Sequence, residues 1–164
     1  MNCNNLFYYP DKINYSSPSH LNINYDTLTV KTADNEELHV WKLFGKQEQG
    51  VIIQFHGNAQ NLTSHYLSVA WLTDHGFSVY TFDYRGYGKS SGKPTRKGLV
   101  QDGQAIIEYV CRETKKPVFI IGQSLGGAVA APDSGLAAGG SMPSWLGLRP
   151  DWIYLQISFR FEGF

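Results

Sequence analysis

The chain has 164 residues, 42% of them hydrophobic and 17% charged, with 14 basic and 14 acidic side chains. That length supports one modest core and excludes two full domains, and the composition is globular rather than disordered. A formal net charge of zero leaves no basic footprint for nucleic acid and no polybasic patch for a membrane surface.

Two β-rich runs come first, Thr27–Thr32 and Glu37–Phe44, separated by Ala33, Asp34 and Asn35 in the manner of a hairpin. Gly50 then precedes Val51–His56, a nearly continuous apolar run of the kind found in strands covered on both faces. Apolar residues at Leu62, Tyr66, Val69, Ala70 and Leu72 predict one helix over Asn61–His75, stopped by Gly76 as a C-terminal cap. Phe77–Phe82 reads as another buried strand. A Gly- and Ser-rich loop occupies Asp83–Pro94, a helix is predicted from about Leu99 to Arg112, and Pro117–Gly122 is a short strand. A hairpin followed by alternating strand and helix predicts an α/β fold, with a mostly parallel sheet and flanking helices.

The composition changes near Ala131. No asparagine follows Asn61, no lysine follows Lys116, and the tail is rich in Gly, Pro, Ser and Trp. Ala131–Pro150 reads as an irregular linker. Trp152–Phe161 then alternates, with Ile153, Leu155, Ile157, Phe159 and Phe161 on one face, which is the period of a strand. The expected organisation is a partial α/β domain over 1–130 and an atypical tail over 131–164. Cys3 and Cys111 are not expected to pair. No apolar stretch reaches the roughly 20 residues of a membrane helix, and no signal peptide is apparent, so the expectation is a cytoplasmic protein.

The strongest chemical signal is Gly122-Gln123-Ser124-Leu125-Gly126, a G-x-S-x-G sequence between an apolar strand and the small-residue start of a helix. A serine on so sharp a turn needs neighbours at −2 and +2 that are nearly free of side chain. The turn then pushes the Ser124 hydroxyl out at the carboxyl end of the sheet, which makes it the candidate nucleophile. The backbone N–H of Leu125 is a candidate oxyanion donor. Phe55-His56-Gly57-Asn58 ends an earlier strand, where the second donor is expected, and the Asn58 N–H fills that role with Gly57 easing the close approach of the backbone. His56 sits on this loop and is read as ordering it by hydrogen bonding, not as the general base. Asp83-Tyr84-Arg85-Gly86-Tyr87-Gly88-Lys89-Ser90-Ser91-Gly92 does not satisfy the phosphate-loop pattern, because Asp83 stands where that pattern needs glycine. Asp83 and Arg85 are expected to brace this loop through an ion pair or backbone hydrogen bonds. Asp83 precedes Ser124 and is not read as a triad acid.

With these three segments in this order the chain resembles the α/β-hydrolase superfamily, most closely its single-domain esterases and serine aminopeptidase-like members. Phe7-Tyr8-Tyr9-Pro10-Asp11 is also similar to the start of that subgroup, whose members often carry an N-terminal membrane anchor. The resemblance spans about Leu6 to Ala130. It implies hydrolysis of a small acyl ester, thioester or amide through Ser124, without cofactor or metal. It also implies a triad in the chain order Ser, Asp or Glu, His. Here His20, His39, His56, His65 and His75 all precede Ser124. The later acids are Asp133, Asp151 and Glu162, and Asp133 follows the nucleophile too closely for the acid position. The resemblance further implies eight strands with the nucleophile after the fifth, so the fold is expected to be incomplete at its C-terminus. A frameshift, a gene disruption or a premature stop would account for the break, and translating the downstream nucleotides in other frames tests this.

The expectation is therefore a serine hydrolase inactive alone. Its alternatives are a non-catalytic fragment or pseudoenzyme, half of a split enzyme completed by another chain, or a module binding a carboxylate or acyl group in the oxyanion pocket. Ending at the nucleophile strand would expose an apolar sheet edge and invite self-association, unless the Trp152–Phe161 run pairs beside that strand.

Overall fold

The computed structural model describes residues 7–130 and 153–156. Strand β1 (Tyr9–Pro10) lies in the N-terminal segment. The hairpin follows as β2 (Tyr25–Lys31) and β3 (Glu37–Leu43), antiparallel with Leu28 opposite Val40. Next come β4 (Gly50–Phe55), the two-residue β5 (Ala59–Gln60), the short helix α1 (Leu62–His65) and β6 (Phe77–Phe82). Helix α2 (Arg96–Glu113), β7 (Val118–Gly122), α3 (Leu125–Ala130) and β8 (Ile153–Gln156) complete the described elements.

The main sheet has the order β2-β3-β6-β4-β7-β8. Its β4 pairs in parallel with β6 on one side and β7 on the other, and every residue of β4 is buried. Alternation along β4 feeds two cores. Val51, Ile53 and Phe55 pack with Leu99, Ile106 and Val110 of α2 on one face. Ile52 packs with Trp41, Leu62, Tyr66 and Val69 on the other. The mixed sheet with helices on its faces is the α/β architecture expected from the sequence.

Helix α2 begins three residues earlier than predicted because Thr95 caps it, its hydroxyl accepting the Gly98 N–H at 3.0 Å. The single helix predicted over Asn61–His75 is a larger departure. Asn61 does cap the start and Gly76, at φ 83°, does end it. In between, α1 gives way to 3-10 turns at Tyr66–Ser68 and Ala70–His75. Competing hydrogen bonds explain the break. The His65 carbonyl accepts from Gln54 Nε2 at 2.8 Å and Ser68 Oγ at 2.9 Å, and Thr73 Oγ1 turns back to the Ala70 carbonyl at 2.7 Å.

The open edge expected beside β7 is covered within the described residues. Strand β8 pairs in parallel with β7, with Ile120 opposite Tyr154. The linker expected at Ala131–Pro150, together with Trp152 and residues 157–161 of the predicted strand, lies outside the described residues. No helix among the described residues is long and apolar enough to cross a membrane.

Candidate active site

The candidate residues converge because β4 and β7 are parallel neighbours with Phe55 opposite Gly122. Their carboxyl ends therefore deliver the Gly57–Asn58 loop and the Ser124 turn to the same edge of the sheet. The Gln123 N–H donates to the Phe55 carbonyl at 3.0 Å and ties the two ends together.

Ser124 has φ 52°, in the left-handed region that a side chain rarely occupies, and it is exposed. The turn closes only because its flanking residues lack side chains. A Cβ on Gly122 would lie 2.7 Å from the Gly127 Cα, and one on Gly126 would lie 2.0 Å from the Phe55 carbonyl oxygen. Both distances are far inside van der Waals contact. After Ser124 the chain enters α3 at once, with the Gly127 N–H donating to the Ser124 carbonyl at 3.0 Å. Beside the turn, Leu125 lines an open cavity of about 900 Å³ together with Tyr8, Leu99, Gln104 and Val129.

On the facing loop, the Asn58 side chain is held from three directions. Its Oδ1 accepts from the Tyr87 hydroxyl at 2.8 Å and from the Tyr9 N–H at 3.3 Å, while its Nδ2 donates to the Phe7 carbonyl at 2.7 Å. Gly57, unlike Gly122 and Gly126, is not crowded by the surrounding fold. A Cβ there would meet only His65 Cε1 at 3.5 Å and the Gln123 carbonyl at 3.8 Å, which are ordinary contacts.

His56 is fully buried, with its Nδ1 2.7 Å from the Gly57 carbonyl. Because a carbonyl only accepts, Nδ1 carries the proton. Its Nε2 has no hydrogen-bond partner among the described residues. The ring stacks on His65 at a centroid distance of 5.0 Å. Burial, and then the neighbouring His65, push the His56 pKa down to about 4 from 6.5. The folded protein therefore keeps His56 neutral where the unfolded chain would protonate it. Stability is expected to be full above about pH 6.5 and to fall as the pH drops towards 4, with about 2 kcal/mol lost at pH 5. Urea melts at pH 7 and pH 5 measure the loss, and a loss of the same size in His56→Gln would show that another group is responsible.

Asp83 and Arg85 brace the loop, though not by pairing with each other. The buried Asp83 carboxylate accepts from the Leu62 N–H at 2.8 Å and the Lys89 N–H at 3.2 Å, and its Oδ2 lies 3.0 Å from His39 Nδ1. Arg85 instead bridges two other acids. Its Nε donates to Asp102 at 2.9 Å and its Nη1 to Asp34 at 2.7 Å, while its own backbone N–H also reaches Asp102 at 2.8 Å. Burial alone would lower the Arg85 pKa, but the bonds to Asp34 and Asp102 more than reverse that, so it stays charged. The same hydrogen bonds hold Asp34 well below the usual carboxylate range.

The loop's partners His39, Asp34 and Asp102 were not singled out from the sequence, nor were the hydroxyls of Tyr84 and Tyr87. One signal was present. Gly98 lies near the start of α2, where glycine is unfavourable, and a Cβ there would meet Arg85 Cδ at 2.6 Å. A costly helical glycine marks a close approach. No group of three or more His, Cys, Asp or Glu side chains among the described residues could hold a metal ion.

Comparison with known proteins bears on the family and the fold. The profile of the family described as serine aminopeptidase, S33, matches residues 46–133. The uncharacterized protein YfhR of Salmonella typhi is 38% identical over 132 residues, covering 75% of this chain and 44% of that protein. Protein bem46 of Schizosaccharomyces pombe is 33% identical over 127 residues, covering 71% of this chain and 42% of that protein. Among solved structures, the Pyrococcus furiosus esterase Pf2001 superposes with a TM-score of 0.68 at 26% identity, covering 80% of this chain and 52% of the esterase. The chain thus spans less than half the length of these two curated relatives.

Proposed function

Because the chain belongs to the serine aminopeptidase S33 family and has an α/β-hydrolase fold, we propose that Ser124 is a nucleophile for the acyl carbonyl of an ester, thioester or amide. One observation carries this reading. An exposed serine is held in a left-handed backbone conformation between two glycines that cannot accept a Cβ. Strain of that kind persists where surrounding structure enforces it, and at an elbow it serves to project the hydroxyl. The N–H groups of Asn58 and Leu125 act as the oxyanion donors, and the open cavity beside Leu125 receives a small acyl-containing substrate.

In the family order the histidine follows the serine, whereas all five histidines of this chain precede it. Among the described residues none hydrogen-bonds to Ser124. His56 is committed through Nδ1 to the Gly57 carbonyl. In this chain the Ser124 proton therefore passes to solvent base, and the 164 residues are inactive alone or nearly so.

A fluorophosphonate probe tests both halves of the proposal. The purified chain is expected to label at Ser124 at least about 10⁴-fold more slowly than a complete esterase such as Pf2001. The rate should climb steadily from pH 6 to pH 10, and Ser124→Ala should not label. A rate that levels off near pH 7 would reveal an imidazole base working in this chain and overturn the lone-nucleophile reading. Equal labelling of Ser124→Ala would overturn the nucleophile itself. Faster Ser124 labelling after addition of a cell lysate would support completion of the site by another chain.

A further inference from the structure

The Asp83–Gly92 loop stands out in the sequence, yet its tyrosines have no part in the chemistry described so far. Both reach the loop that carries Asn58. The Tyr84 hydroxyl donates to the His56 carbonyl at 3.1 Å. The Tyr87 hydroxyl lies 3.0 Å from the Asn58 carbonyl and 2.8 Å from Asn58 Oδ1, so its single proton is shared between the backbone and the side chain of one residue. Both tyrosines are buried, and burial raises both phenols, so each remains a donor.

The consequence lies in the peptide planes on either side of Asn58. In a trans peptide the C=O and N–H point in opposite directions. The bond from His56 Nδ1 to the Gly57 carbonyl therefore sets the direction of the Asn58 N–H in the same plane. The following plane begins with the Asn58 carbonyl, which Tyr87 holds. Together the two bonds restrain both backbone torsions of Asn58. Tyr87 is itself fixed from behind. The Gly88 N–H donates to the Asp11 carbonyl at 2.8 Å, and the Lys89 N–H donates to the Asp83 carboxylate. Gly88 is at φ +47°, and a Cβ there would lie 2.1 Å from Asp83 Oδ2, so the loop closes over that carboxylate only with glycine at this position.

We infer that Tyr87 is a positioning residue for the oxyanion site, its hydroxyl holding Asn58 so that the Asn58 N–H faces the oxygen that gains charge when Ser124 attacks. This rests on the reading of Ser124 as nucleophile. It gives the glycine-rich loop a role in the reaction through Asn58, without contact to substrate. The donor is arranged before the reaction begins, which is what makes such donors effective.

The test is Tyr87→Phe in the full chain, labelled by a fluorophosphonate at pH 9.5 well below the melting temperature, with kinact and KI measured separately. Phenylalanine keeps the ring and removes only the donor. Removing an oxyanion donor outright costs about 10²–10³-fold, and a misdirected donor should cost less, so kinact is expected to fall about tenfold with KI unchanged. A purely structural role would shift the melting temperature and leave kinact alone. A second readout is the Asn58 amide proton by NMR. Phosphonylation should move it downfield in the parent chain and less so in Tyr87→Phe. If Tyr87→Phe does not fold, the Tyr87 hydroxyl proton of the parent chain is followed by NMR: it should exchange slowly before and after phosphonylation, and rapid exchange with solvent would overturn the hold on Asn58. Unchanged kinact together with an equal amide shift would overturn the role of Tyr87 and leave the nucleophile reading intact. No labelling of Ser124 in either chain would overturn the nucleophile reading, and this inference with it.

Discussion

Replacing Arg85 with alanine is expected to destabilise the fold by about 3–5 kcal/mol, the range seen when one partner of a buried ion pair is removed. Asp102 has no exposed surface and Arg85 only 5%. Without the guanidinium, Asp102 keeps one backbone donor, from residue 85 itself, and otherwise carries its charge without compensation. Asp34 is half exposed in comparison and can turn to water, so most of the loss comes from Asp102. Urea unfolding at pH 7 measures the effect. The double replacement Arg85→Ala with Asp102→Asn should recover part of it, because the stranded charge is then gone. A loss below about 1 kcal/mol in Arg85→Ala would mean that water reaches Asp102 and the pair is not buried.

Gly126→Ala should produce the next largest effect, and it acts on the elbow directly. The new Cβ would stand 2.0 Å from the Phe55 carbonyl oxygen, 2.5 Å from the Phe55 carbonyl carbon and 2.8 Å from the His56 carbonyl oxygen. All three atoms are backbone, so no side chain can rotate to relieve the contact. The end of β4 must separate from the elbow, stretching the bond from Gln123 to Phe55 that joins the two loops. A loss of about 3 kcal/mol is expected, at the upper end for overpacking, and Ser124 labelling should fall along with it. Gly57→Ala is the matched comparison. Its Cβ meets nothing closer than 3.5 Å, so the expected loss is below about 1 kcal/mol. Equal melting of the two variants would contradict the close approach at Gly126.

These contrasts show which parts of the molecule could be read from its sequence. The elbow was legible because its steric demand acts over two residues on either side of Ser124, and Gly122 and Gly126 record it. The apolar run Val51–Phe55 was legible for a similar reason, since burial on both faces leaves a continuous hydrophobic signature. The break after His65 was not. The periodic Leu62, Tyr66 and Val69 fit a helix, and what interrupts it includes a hydrogen bond from Gln54 on another element. Asp83 and Arg85 were recognised as braces, through an ion pair or backbone hydrogen bonds, but the carboxylates that Arg85 meets were not. These lie 51 and 17 residues away in the chain, where no local pattern reports them. Tyr84 and Tyr87 were passed over for the same reason: a phenol shows nothing in sequence about which carbonyl it will meet.

The place of β4 in the sheet also sets the order in which the site can assemble during synthesis. Its carboxyl end carries the Gly57–Asn58 loop, but the strand that covers its second edge, β7, starts about 60 residues later. At ribosomal rates of about 5–20 residues per second, Val51–Phe55 waits roughly 3–12 s before β7 is made. Throughout that interval one edge of an uncharged, β-branched run is open to pairing with another nascent chain. Factors that shield this segment on the ribosome would therefore bear on the yield of folded protein.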